Sequence, residues 1–173
     1  QKYDISSTLP SDQAARSVGF SAILSLKNVS GRPAGSLTLR ISPLAEISSV
    51  KVNDAIADFA KSEEKVGAAG SLQRIAMRFP AVSPDATISA VVEYKLNVKE
   101  NSSLSMISPI GTQFLPLSFW YPTPTSWFFN RGGDSAPYRI RVNGSGQMVL
   151  TSGTEANGGF DLKINGQPYF VAG

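Results

Sequence analysis

The stretch "ISAVVEYKLNV", residues 88–98, sets Ile88, Ala90, Val92, Tyr94, Leu96 and Val98 at six successive alternate positions. Ser89, Glu93, Lys95 and Asn97 fall between them, with Val91 the one apolar residue on that side. A period of two over this length is the mark of a strand with one face buried and one face wet. The same pattern recurs along the chain. Val18, Phe20, Ala22, Leu24 and Leu26 alternate with Gly19, Ser21 and Ser25, and Ile23 is the exception. Leu37, Leu39 and Ile41 alternate with Thr38 and Arg40; Ile75, Met77 and Phe79 with Ala76 and Arg78; Tyr138, Ile140 and Val142 with Arg139 and Arg141. A wet face on every strand favours antiparallel sheets over a parallel sheet buried on both sides.

Turn chemistry separates these strands. Asn28-Val29-Ser30-Gly31-Arg32-Pro33 closes the first long strand, and Val52-Asn53-Asp54 reads as a tight hairpin. Ser83-Pro84-Asp85, Asn143-Gly144-Ser145-Gly146 and Asn157-Gly158-Gly159 follow. Residues 55–60 read as a strand after the hairpin. Lys61 to Gly70, with Glu63 and Glu64 between lysines, reads as an exposed charged loop. The expectation is one all-β domain over residues 1–173, an antiparallel sandwich of two packed sheets.

Composition removes whole classes of chemistry. The chain of 173 residues has neither cysteine nor histidine. Disulfide frameworks, zinc fingers, thiol nucleophiles, a Ser-His-Asp triad and a two-histidine zinc site are therefore excluded. The net charge is +3, from 16 basic and 13 acidic residues that form no stripe, so nucleic acid is not an expected partner. No apolar run reaches the length of about 18 residues that spans a bilayer. The sequence opens at Gln1-Lys2-Tyr3-Asp4 without an apolar leader, which reads as a processed start and an extracytoplasmic location. Asn-x-Ser sequons at Asn28, Asn101 and Asn143 are attributed to chance. No glycine-rich phosphate loop is present, and a lone Asp134 after Arg131-Gly132-Gly133 reads as a turn residue rather than a metal ligand.

Six of the aromatic residues sit in "SFWYPTPTSWFF", residues 118–129. Trp120 and Tyr121 precede Pro122, which imposes extended backbone and suits a buried strand end. Trp127, Phe128 and Phe129 are consecutive, so they cannot all face one core, and they are candidates for a domain interface. The same stretch could instead be a stacking platform for sugar rings or peptide side chains. That leaves open an extracellular carbohydrate- or protein-binding module.

The order of motifs resembles the aminopeptidase N family of gluzincin zinc metallopeptidases. "YDISSTL", "LSLKNVSG", "LTLRISP", "EISSVKVND" and "ISAVVEYKLNV" come first, followed by "WYP", "DSAPYRIRV", "MVLTSG" and "PYFVAG". The likeness runs along nearly the whole chain and rests on the order of these segments, each of them weak alone. It implies a saddle-shaped, non-catalytic N-terminal domain that packs on the catalytic domain of the same polypeptide. Zinc is expected only in that catalytic domain, where an HExxH motif would hold it, and a peptide substrate only in the full-length protein. In the family a Gln or Glu from this domain reaches the substrate's N-terminal end. Gln113 is the nearest match by spacing from Pro122; otherwise it is an ordinary polar residue beside a strand.

Overall fold

The computed structural model describes residues 1–12, 14–65, 70–124, 135–144 and 148–173. Among these the regular structure is β throughout, with one 3-10 turn at Pro116–Ser118. The sequence expectation of an all-β domain holds. The strands form three sheets, however, where two were expected. Alternation shows that a strand has a buried face, but not which sheet it joins.

The largest sheet has eight strands, ordered β13 (Thr154–Ala156), β14 (Gly159–Gly166), β11 (Ala136–Asn143), β1 (Lys2–Thr8), β2 (Ser17–Lys27), β8 (Thr87–Asn97), β4 (Ala45–Val52) and β5 (Ala55–Ile56). At its centre β2 and β8 run antiparallel in unbroken register from Ser17↔Asn97 to Lys27↔Thr87. This register sets Phe20 beside Tyr94, their rings stacked with centroids 5.2 Å apart, Ala22 beside Val92 and Leu24 beside Ala90, so aromatic meets aromatic and alanine meets a branched side chain on the buried face. β1 joins β11 in parallel, Tyr3 against Tyr138 and Ile5 against Ile140, which makes the sheet mixed. No local motif marks that pairing, because its partners lie more than 130 residues apart.

The second sheet has the order β12 (Val149–Leu150), β15 (Phe170–Ala172), β10 (Gly111–Phe114) and β9 (Ser105–Ser108). The third has the order β3 (Ala34–Ile41), β7 (Ser71–Val82) and β6 (Phe59–Lys65). β6 corrects the sequence reading here: the strand read over 55–60 is divided, with Ala55–Ile56 in the large sheet and Phe59 and Ala60 in β6, and the loop read from Lys61 is strand as far as Lys65. Lys61 to Lys65 pair with β7 down to Lys65↔Ser71. They form a sheet edge, where charged residues are tolerated and protect against edge-to-edge association. A buried-face pattern never develops there, so alternation could not reveal it.

All three sheets turn one face to a common core. Leu39, Ile41, Ile75 and Met77 from the third sheet, Ile107, Phe114 and Phe170 from the second, and Val18 to Tyr94 from the first form one continuous cluster. Two hairpins follow their sequence signals closely. Asn53 and Asp54 both take positive φ between the paired Val52 and Ala55, and Asn157-Gly158 do the same between Ala156 and Gly159. Asn28 holds the end of β2: its side-chain amide donates to the carbonyls of Arg32, Val82 and Ser83, and its Oδ1 accepts from the backbone N–H of Ser30.

Candidate functional site

The four-stranded sheet has two unlike faces. Its inner face presents Ile107, Thr112, Phe114, Phe170 and Ala172, all buried. Its outer face is read off the register. Gln113 lies between Met106 of β9 and Val171 of β15, and Val171 lies beside Leu150 of β12. Gln113 is thus the one polar member of a row Met106–Gln113–Val171–Leu150. Met148, which exchanges both backbone hydrogen bonds with Gly173, falls on the same face as Leu150. Leu150 is 61% exposed, Met148 72%, and Ile110 at the β9–β10 turn 86%.

Several features hold Gln113 in place. Its side-chain amide donates to the carbonyl of Ser103 at 2.6 Å, which ties the head group to the β8–β9 connection. Beneath it, Gly111 approaches β15 so closely that a Cβ would lie 2.7 Å from the Ala172 carbonyl oxygen. That is below any real Cβ contact, so only glycine fits. On the inner side Phe114 packs on Trp120 and Phe170, with ring centroids 6.1 and 5.7 Å apart.

Trp120 is the keystone of that inner packing and is fully buried. Phe119 has φ 53 and ψ 38, the left-handed region, directly after the 3-10 turn. This unusual conformation for a bulky residue swings the chain so that Trp120 enters the core. The indole N–H donates to the Pro168 carbonyl at 3.1 Å, and the Trp120 carbonyl accepts from the Tyr94 hydroxyl at 2.9 Å. Burial, with the neighbouring Glu93 carboxylate adding to it, holds the Tyr94 phenol well above its ordinary value. Phe20, Phe170 and Tyr121 surround the indole at centroid distances of 5.5, 5.5 and 5.2 Å.

These contacts separate the aromatic stretch into parts. Trp120 and Tyr121 are core residues, as the sequence suggested, and their faces are not open to a sugar ring. Trp127, Phe128 and Phe129 lie outside the described residues, and so does Asp134. Among the described residues no group of three Asp or Glu side chains is placed to hold a metal ion. With no histidine or cysteine in the chain, a zinc ion finds no fitting ligand set among them. No described helix is long and apolar enough to cross a membrane. The outer row around Gln113 was not legible from sequence, because β15 lies more than fifty residues downstream of β10.

No protein-family model matches the chain, and no curated protein matches it in sequence. Solved structures do. A mutant of the M1 zinc metallopeptidase from Deinococcus radiodurans, bound to a Tyr-Ser-Ala substrate, superposes with a TM-score of 0.71 at 15% identity. The match covers 100% of this chain and 41% of that one. The chain has the fold of one part of the M1 zinc metallopeptidases. Leukotriene A4 hydrolase from Saccharomyces cerevisiae agrees, with a TM-score of 0.65 at 16% identity over 98% of this chain and 28% of the other. The metallopeptidase fold thus extends over this whole sequence, while the chain spans about two fifths or less of the enzymes that share it.

Proposed function

We infer that the chain is a non-catalytic N-terminal domain of an aminopeptidase N-like zinc metallopeptidase. In this reading it packs against the catalytic domain of the same polypeptide and helps to shape the substrate entrance. The observation that carries the reading is the outer face of the four-stranded sheet. Exposed Met148 and Leu150, with half-buried Met106 and Val171, share that face with one oriented amide. A largely apolar surface with a fixed amide in it suits burial against another domain, the amide serving specificity. The shared fold, complete here and partial in the enzymes, supports the same reading. Gln113 is then the residue placed to meet a substrate's N-terminal end, and zinc belongs to the catalytic domain alone.

The test is made on the full-length protein and on the chain by itself. The reading frame beyond Gly173 is expected to encode an HExxH motif. Gln113→Ala in that protein is expected to raise KM for aminoacyl anilides about tenfold, the worth of one hydrogen bond to a charged group, with kcat little changed. Hydrolysis of such substrates by the purified 173-residue chain with added zinc would overturn the reading.

A further inference from the structure

The outer face of the three-stranded sheet carries a feature that domain packing through the four-stranded sheet does not use. Register places Arg40 of β3 directly opposite Arg74 of β7, and Arg74 opposite Ser62 of β6. Like charges at opposed cross-strand positions, with Cβ atoms about 5 Å apart, destabilise a sheet unless an anion compensates them. Glu64 compensates only Arg40, through a 2.6 Å bond to its Nε. The Arg74 Nε is buried without a hydrogen-bond partner. Two rows further along β7 stands Arg78, exposed and without an ion-pair partner among the described residues.

Between the arginines the floor is low. Thr38, Ala76 and Ala60 form the intervening row across the three strands. A groove of about 770 Å³ is lined by Thr38, Ala76 and Ala60 of this row together with Asp58 and Arg78, and Arg74 stands next along β7 beyond its lining. Arg74 and Arg78 are four residues apart on one strand face, about 13 Å at the usual rise of about 3.3 Å per residue. An extended peptide repeats its side chains on one face with the same spacing.

We propose that this face binds an extended acidic peptide segment of a partner protein, with two carboxylates four residues apart reaching Arg74 and Arg78. Charge complementarity selects the occupant. Arg40 is already neutralised, two guanidiniums remain, and each fork matches one carboxylate. The small side chains of Ala76 and Ala60 leave room for the peptide backbone between the two contacts. Asp58 in the lining opposes an acidic ligand, whereas the Glu64 carboxylate is engaged by Arg40.

The experiment is fluorescence anisotropy of the 173-residue chain with dye-labelled twelve-residue peptides. One peptide carries two Glu four residues apart, a second carries them three apart, and a third carries two Lys four apart. The first is expected to bind at least tenfold more tightly than the others, and to weaken as salt is raised. Arg74→Gln with Arg78→Gln should weaken it tenfold or more with the far-UV spectrum unchanged, while Asp58→Asn should strengthen it. Arg78→Gln alone, at an exposed position, serves if the double variant does not fold. Equal binding of the three peptides would overturn the proposal, as would binding indifferent to the arginines or absent at millimolar chain. Arginine-dependent binding to phosphatidylserine vesicles that the first peptide cannot displace would also overturn it.

Discussion

At the scale of single residues, the hydrogen bond from Tyr94 to the Trp120 carbonyl makes a titratable group part of the core. Its raised pKa has a definite sign. The unfolded phenol ionises near pH 10, whereas the folded one resists because burial penalises phenolate. Above that pH the folded state holds one more proton than the unfolded state, so stability falls as pH rises. The contribution is complete below about pH 10, and is then lost at a slope of about 1.4 kcal/mol per pH unit until the folded phenol ionises. Tyr94→Phe is expected to cost about 1 kcal/mol at pH 7, the net worth of one hydrogen bond, and to flatten the alkaline decline. Melting curves of both proteins from pH 8 to 11.5 test this, because the other tyrosines cancel in the comparison. Parallel declines would show that Tyr94 does not titrate in the unfolding reaction.

At the scale of elements, what was legible in the sequence depended on having a buried face. β8 and β2 declare themselves, since Ile88 to Leu96 and Val18 to Leu26 alternate without help from their neighbours. β6 does not: its side chains from Ala60 to Glu63 are all exposed, and its place at the sheet edge is set by pairing with β7. Trp120 could be assigned to the core from its place before Tyr121-Pro122. The apolar row around Gln113 could not be foreseen, because it is assembled from β9, β10, β12 and β15. Glycines divide the same way, and only the structure tells them apart. Gly19 in β2 has nothing within 4 Å of an added Cβ, whereas one at Gly111 meets the backbone of β15. Gly19→Ala is therefore expected to be neutral or to stabilise by up to about 1 kcal/mol, through loss of unfolded-state entropy. Gly111→Ala should destabilise by about 1–3 kcal/mol as β10 is pushed from β15. Urea unfolding of the pair measures both, and equal effects would remove the close approach as the reason for glycine at 111.

At the scale of the whole molecule, three sheets share one core, and this decides how the protein comes apart. Leu39 and Ile41 of the three-stranded sheet belong to the same continuous cluster as Trp120 and Phe170. The Arg40 backbone also exchanges hydrogen bonds with Thr123, three residues after Trp120, so the small sheet is tied to the aromatic segment by main chain as well. A sheet with its own core could melt by itself; one whose inner face lies in a common cluster loses that cluster when it leaves. Unfolding is therefore expected to be a single transition, with calorimetric and van't Hoff enthalpies equal. Leu39→Ala probes the coupling, because it removes a fully buried side chain from the small sheet. The cavity should cost about 2–5 kcal/mol and lower the melting temperature by roughly 5–15 °C. The decisive reading, made in a Trp127→Phe background so that Trp120 alone emits, is that far-UV ellipticity and tryptophan fluorescence shift together, since Trp120 belongs to the shared cluster. A Leu39→Ala protein in which part of the ellipticity melts early, with fluorescence following at the original temperature, would make the three-stranded sheet an independent unit.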